Sequence, residues 1–110
     1  MDEMVDTMNS KRKGKNGELH VAKVLREHGF DAKRGVQYQG SPDSPDVVGM
    51  PGIHIEVKNT EHLNIWSALA QAERDCGDNV PVVVFKRNRS KDYVALSLED
   101  FIAIYKHELV

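Results

Sequence analysis

A single cysteine, Cys76, among 110 residues leaves no partner for an intrachain disulfide and no thiolate set for a zinc site. No apolar run approaches the ~20 residues that a membrane span requires. The first residues (Asp2, Glu3, Asp6) are acidic, where a secretory signal would be basic and then apolar. Neither sign of charge is in large excess: 15 Lys and Arg stand against 17 Asp and Glu, a net charge of −2. These absences argue against a disulfide-stapled secreted fold and a membrane protein, and make a reducing cytoplasm the expected setting. What is present, 40% apolar and 29% charged residues, is ordinary for a soluble globular chain with one modest core.

The charge is unevenly placed. Between Lys11 and Arg34 there are eight basic residues (Lys11, Arg12, Lys13, Lys15, Lys23, Arg26, Lys33, Arg34) and three acids. A second basic cluster is Lys86-Arg87-Asn88-Arg89-Ser90-Lys91. Local patches of this kind, more than overall charge, mark a protein that meets phosphate, although such runs also serve as plain solvated faces.

The densest signal is Ile53-His54-Ile55-Glu56-Val57-Lys58. In an extended strand successive side chains alternate between faces, so Ile53, Ile55 and Val57 point into a core while His54, Glu56 and Lys58 share the opposite face. Folding asks for the apolar row but gives no reason for a carboxylate and an ammonium on the other. Upstream, Pro45-Asp46 opens the short apolar run Val47-Val48, and Gly49-Met50-Pro51-Gly52 would fold it back against residues 53–58 as a hairpin. Asp46 and Glu56 then converge near Lys58. Two carboxylates and a lysine at one place suit a hard divalent cation and phosphoryl-transfer chemistry. Asp43, in the repeated dipeptide Pro42-Asp43, is the rival to Asp46 but lies mid-loop.

Around this hairpin the pattern predicts a leader over residues 1–12, and then one domain over 13–110 in the order α-β-β-β-α-β-β-α. A first helix is expected from Gly14 or Asn16 to His28, closed by Gly29, with Leu19, Ala22, Val24 and Leu25 inward. An extended arm over Phe30–Tyr38, a loop over residues 40–45 and the hairpin follow. A helix from Asn64 to Cys76 carries the stripe Ile65, Leu69, Ala72, Cys76. The near-continuous apolar run Val80–Phe85 reads as a central strand covered on both faces. Asp92–Leu96 is a further strand, and Ser97 caps a last helix. Trp66 is expected to be buried and Cys76 to fill core at a helix end.

Glu18 in the first helix, Pro45-Asp46, Glu56-Val57-Lys58 and Gln71 in the following helix resemble the PD-(D/E)xK nuclease superfamily. Within it, Gly14-Lys15-Asn16-Gly17-Glu18, Leu25, Gly29-Phe30, Arg34, Ser41, Pro45-Asp46-Val47-Val48 and Ile55-Glu56-Val57-Lys58 resemble the archaeal-type Holliday junction resolvases. Gln71, thirteen residues beyond Lys58, is also similar to the Gln of the small VRR-type nuclease domains.

The resemblance implies a restriction-endonuclease-like α/β core, a mixed sheet flanked by helices. It implies a metal-dependent endonuclease active in DNA recombination and repair, cutting branched DNA to leave 5′-phosphate and 3′-hydroxyl ends, with Mg²⁺ as cofactor and Mn²⁺ able to substitute. Asp46 and Glu56 would be metal ligands, joined by the Val57 carbonyl and by Glu18 directly or through water. Lys58 would either orient or deprotonate the attacking water, or offset charge in the transition state. Gln71 would hydrogen-bond the scissile phosphate or Lys58. Lys11, Arg12, Lys13 and Lys15, with Arg34 and Ser41 on the arm, are the candidate DNA contacts.

The two symmetry-related strands of a four-way junction imply a homodimer, with the last helix (Phe101, Ile104, Tyr105, Leu109) or the Trp66 helix as candidate interface. The setting implied is the interior of a bacterial, archaeal or phage-infected cell. Beside the resolvase-like reading stand a VRR-type nuclease acting on flaps or other DNA structures, and a nuclease-fold protein that binds nucleic acid without cutting it. Little chain is left for the base-reading loops of a sequence-specific enzyme.

Overall fold

Alternation in residues 53–59 builds the middle strand of a five-stranded sheet. The computed structural model describes residues 3–35 and 44–107. Its elements are α1 (Glu3–Glu27), β1 (Lys33–Arg34), β2 (Val47–Val48), β3 (Ile53–Asn59), α2 (Ile65–Asp75), β4 (Val80–Lys86), β5 (Tyr93–Ala95) and α3 (Leu98–Tyr105). The order is the one read from the sequence. Strands β1, β2 and β3 are antiparallel neighbours, β3 and β4 are parallel, and β5 returns antiparallel to β4. The parallel pair needs a crossover, and α2 supplies it. The result is a mixed sheet with helices on its faces.

Helix α1 starts at Glu3, well before the expected Gly14 or Asn16, so the segment read as a leader supplies the first turns of this helix. Glycine disfavours helix interiors, yet Gly14 and Gly17 both lie inside α1. At Gly17 the cause is packing: a Cβ there would lie 2.9 Å from Asn59 Cβ, and its absence lets α1 lie close on β3. The helix ends as expected. Gly29 adopts φ 95°, its N–H donates to Arg26 O, and the Phe30 N–H donates to Leu25 O, which is a Schellman closure.

On one face of the sheet Val21 and Ala22 of α1 bury Val47, Ile55 and Val57, with Leu25 and Phe30 packed alongside. Leu19, expected to face inward, is exposed, and Val21 occupies the buried position instead. On the other face Ala68 and Ala72 of α2 cover Val83, with Ile65, Leu69 and Phe85 around them. Strand β4, one place from the sheet centre, is thus covered by α2 on one side, while on the other Val82 and Val84 floor a groove instead of lying under a helix, as a strand covered on both faces would. Asn64 caps α2 by accepting from the Ser67 N–H, and Ser97 caps α3 by accepting from the Asp100 N–H. Trp66, expected to be buried, is 79% exposed, because small Ala68 and Ala72 hold the buried side of α2. Cys76 is half-buried at the α2 C-cap, its thiol directed at Glu73 O.

Helix α3 buries none of its residues. Between it, α1 and the sheet lies an apolar groove of about 810 Å³, floored by Ile53, Ile55, Val82 and Val84. Among the described residues no helix is long and apolar enough to cross a membrane.

Candidate active site

The site begins where β2 parts from β3. The ladder holds at Val47 opposite Ile55, and the Asp46 N–H still donates to Ile55 O. Beyond the end of β2, the Val57 N–H donates to Asp46 Oδ2 at 2.8 Å. The carboxylate thus accepts where no strand carbonyl continues the ladder, which fixes its rotamer against β3. Gly35 makes room for this junction: its N–H donates to Asp46 O, and a Cβ there would fall 2.1 Å from Pro45 O. In an extended strand the N–H and C=O of one residue point to the same edge, so the Val57 carbonyl is directed to the edge that Asp46 borders.

His54, Glu56 and Lys58 occupy the α2 face of β3, as the alternation requires. They are not an open polar row. His54 and Glu56 are each 3% exposed, lying on the face that α2 covers. Glu56 Oε1 lies 2.7 Å from His54 Nε2. A carboxylate oxygen accepts, so His54 donates through Nε2–H to Glu56 Oε1. Lys58 Nζ donates to Gln71 Oε1 at 3.1 Å, which places Gln71 over the site from α2.

Asp46 responds to this setting. Its pKa is pushed up to about 6, first by burial and further by the charge and direct side-chain contact of Glu56; the Val57 N–H and the Lys58 charge pull the other way. Two carboxylates therefore meet with too little positive charge to balance them, which is the donor chemistry of a hard cation site. Asp46, Glu56 and the Val57 carbonyl fit a divalent ion of the Mg²⁺ class, which takes oxygen ligands and keeps several waters.

The expected residues divide accordingly. Asp46, Glu56, Lys58 and Gln71 come together, and Val57 offers its backbone. Glu18 is engaged elsewhere: Arg34 Nε donates to Glu18 Oε1 at 2.9 Å. Arg34 pairs with Val47 across the β1–β2 ladder, so this ion pair borders the carboxylates without joining them, and the ionisation of Asp46 takes no contribution from Glu18. Among the described residues no three His, Cys, Asp or Glu side chains gather closely enough to hold a metal by themselves.

Lys11, Arg12 and Lys15 are exposed on α1 and Lys13 is half-buried. Ser41 and the rival Asp43 lie outside the described residues, as does Leu109. The sequence placed His54 on the face of Glu56 and Lys58 without giving it a role. The signal that finds it is its i, i+2 spacing from Glu56 on one strand face, which makes the two side chains neighbours.

A β-hairpin acid, a Glu-x-Lys on the next strand and a glutamine-bearing helix laid over them on this mixed sheet define a PD-(D/E)xK nuclease core. The family described as "Phage putative PDDEXK endonuclease" matches residues 9–109, and the chain belongs to that family. Among solved structures, Hjc from Archaeoglobus fulgidus, a Holliday junction resolvase from an archaeal hyperthermophile, is similar with a TM-score of 0.52 and 27% sequence identity, over 76% of this chain and 72% of that one. No curated protein matches.

Proposed function

We propose that this endonuclease is a metal-dependent, structure-selective enzyme that hydrolyses DNA phosphodiester bonds, acting on four-way junctions as a homodimer. The observation that carries the proposal is the meeting of Asp46 and Glu56 beside the Lys58–Gln71 pair, in a chain whose likeness to a Holliday junction resolvase extends over most of both molecules. Asp46, Glu56 and the Val57 carbonyl would hold Mg²⁺, with Mn²⁺ as a substitute. When bound, the ion supplies a water of lowered pKa and positive charge against the phosphoryl oxygens.

The other steps belong to the chain itself. Asp46 gives up the proton that burial and Glu56 favour. His54 holds Glu56 Oε1, so the carboxylate keeps one orientation. Gln71 fixes the Lys58 ammonium by its amide oxygen, leaving the remaining N–H donors and the full charge for an oxygen of the pentacoordinate transition state. Glu18 acts through water or by orienting Arg34 at the rim of the site. Lys11, Arg12, Lys13, Lys15, Arg34 and Ser41 contact DNA phosphates.

Dimerisation is supported by exposed apolar side chains on α3, Leu98 at 70%, Phe101 at 55% and Tyr105 at 80%, and by Trp66 on α2. A second reading, a VRR-type nuclease acting on flaps, is favoured by the Lys58–Gln71 hydrogen bond alone.

The test is cleavage of labelled four-way junction, flap, linear duplex and single strand in Mg²⁺ and in EDTA, beside Glu56→Ala, with the mass in solution measured by light scattering. Paired symmetric nicks confined to the junction, lost in EDTA and in the variant, are expected from a dimer. Cutting of flaps in preference would move the enzyme to the second reading, and binding without cutting would overturn the catalytic proposal.

A further inference from the structure

The second basic cluster, which the site leaves unused, forms the turn between β4 and β5. Four features hold it in one shape. The Arg87 N–H donates to Ser90 Oγ, and the Ser90 N–H donates back to Arg87 O. The Asn88 N–H donates to Glu61 Oε2, tying the turn to the segment that leaves β3. Asp92, just past the turn, meets His20 of α1 at 2.9 Å. Arg89 takes φ 64°, a left-handed conformation that only a tightly determined turn imposes on a non-glycine residue.

The backbone is thus fixed while Arg87, Arg89 and Lys91 stay exposed. Among the described residues none of them pairs with a carboxylate. The two acids nearby, Glu61 and Asp92, are already engaged.

Position gives the turn its meaning. In the parallel β3–β4 register Asn59 faces Lys86, and the Thr60 N–H donates to Lys86 O. The same Asn59 donates through Nδ2 to Lys13 O on α1. One residue, next in sequence to Lys58, therefore joins both basic clusters at the C-terminal end of the catalytic strand. The turn starts after Lys86, about 13 Å beyond Glu56 along the sheet and one strand, about 5 Å, to the side. That offset corresponds to about four nucleotides of one strand at ~3.4 Å axial rise.

We infer that the β4–β5 turn is a second phosphate-binding surface, and that DNA is gripped between it and the basic segment of α1 with the scissile phosphate delivered to the carboxylates between them. The inference rests on the nuclease reading of the site, and it adds Arg87, Arg89 and Lys91 to the DNA contacts.

The test compares the intact chain with an Arg87→Ala/Arg89→Ala variant and an Arg87→Lys/Arg89→Lys variant. Junction affinity is titrated in EDTA from 50 to 200 mM salt, and single-turnover cleavage is measured in Mg²⁺ at saturating DNA. The turn's hydrogen bonds use backbone atoms and the side chains of Ser90, Glu61, Asp92 and His20, none of which is altered, so the alanine variant is expected to melt like the parent. Its plot of log affinity against log salt should be shallower by about 2, since each lost phosphate contact removes about 0.9. Affinity at the lowest salt should fall tenfold or more, while the saturated cleavage rate stays within about twofold.

The lysine variant keeps both charges and should keep the parental slope. An unchanged slope in the alanine variant, or an equally shallow one in the lysine variant, would overturn the inference while leaving the enzyme intact. A parent chain that neither binds nor cuts DNA would instead bring down the functional reading beneath it.

Discussion

The two faces of β3 are equally buried and differently made. Ile55 and Val57, 2% and 9% exposed, face α1; His54 and Glu56, both 3% exposed, face α2. Removing the first pair from water stabilises the fold by roughly 25 cal/mol per Å² of apolar surface and needs only shape. Removing a carboxylate from water costs stability unless specific donors answer it. The second face therefore has an answer for each group: His54 for Glu56, the Val57 N–H for Asp46, Gln71 for Lys58. What remains unanswered is the burial of Asp46 itself and, after it, the nearby charge of Glu56, which together raise the pKa of Asp46. One strand thus carries folding on one side and, in the proposed enzyme, chemistry held against stability on the other.

The largest separation of the two faces is expected from Glu56→Gln. It keeps an acceptor for His54 and removes the charge that a cation needs, so single-turnover cleavage should fall about 10³-fold or more with the melting temperature unchanged or higher. A variant that lost activity only by unfolding would erase the distinction. On the opposite face Ile55→Ala should cost about 2–4 kcal/mol through the cavity it leaves, read as a lower urea midpoint. The fraction still folded at low temperature should cut DNA at near the parental rate.

A sharper test lies in pH. The folded pKa of Asp46, about 6, stands above the ordinary 3.8, so the folded state holds this proton more tightly than the unfolded one. In EDTA that contribution is fully present below about pH 4 and is lost as pH rises through about 6. Asp46→Asn keeps an oxygen for the Val57 N–H without the charge. At pH 8 in EDTA it should be more stable than the parent by about 1–2 kcal/mol, discounted for partial solvent screening, and at pH 4 the advantage should vanish. Thermal melts at both pH values read the crossing, and a gap independent of pH would mean that neither burial nor Glu56 raises the pKa of Asp46 in the folded state.

Most of the fold was legible because local rules and tertiary packing agree in it. The period-2 alternation of β3, the Gly29 closure of α1, the Ser97 cap and the apolar run of β4 all stand where the sequence put them. The N-terminus of α1 was not legible, because Gly17 reads as a helix breaker until β3 is laid against it. Trp66 misled for the converse reason: side-chain size suggests burial, but two alanines on α2 set how closely that helix approaches the sheet.

In the site, Asp46, Glu56 and Lys58 could be placed together because strand alternation and a short hairpin fix their geometry, and Gln71 because the resemblance to the nuclease superfamily implied it. The pairing of Glu18 with Arg34 spans sixteen residues and depends on how α1 crosses β1, which no local period encodes. His54 was undervalued because a strand histidine has no preferred partner until its neighbour is known to be buried and charged.

Gln71→Ala extends the comparison to smaller effects. It leaves Lys58 charged but loosely held, and a tenfold fall in the saturated rate is expected with little change in DNA affinity, since the ammonium still neutralises phosphate without being aimed. An equal fall in affinity would instead make Gln71 a DNA contact.

The smallest effect is expected at the Glu18–Arg34 pair, where a half-exposed guanidinium meets a carboxylate at the rim of the site. Such exposed pairs contribute under about 1 kcal/mol, so Arg34→Ala should barely move the melting temperature. Its consequence should appear in function. Freed from Arg34, Glu18 adds negative charge beside Asp46 and Glu56, which would tighten Mn²⁺ binding a few-fold while weakening DNA binding by a similar factor. Isothermal titration with Mn²⁺ and a junction-binding curve in EDTA read the two changes separately. If both stay at parental values, the pair is a surface link between α1 and β1, and the chemistry of this molecule is confined to the α2 face of β3 and the Asp46 edge beside it.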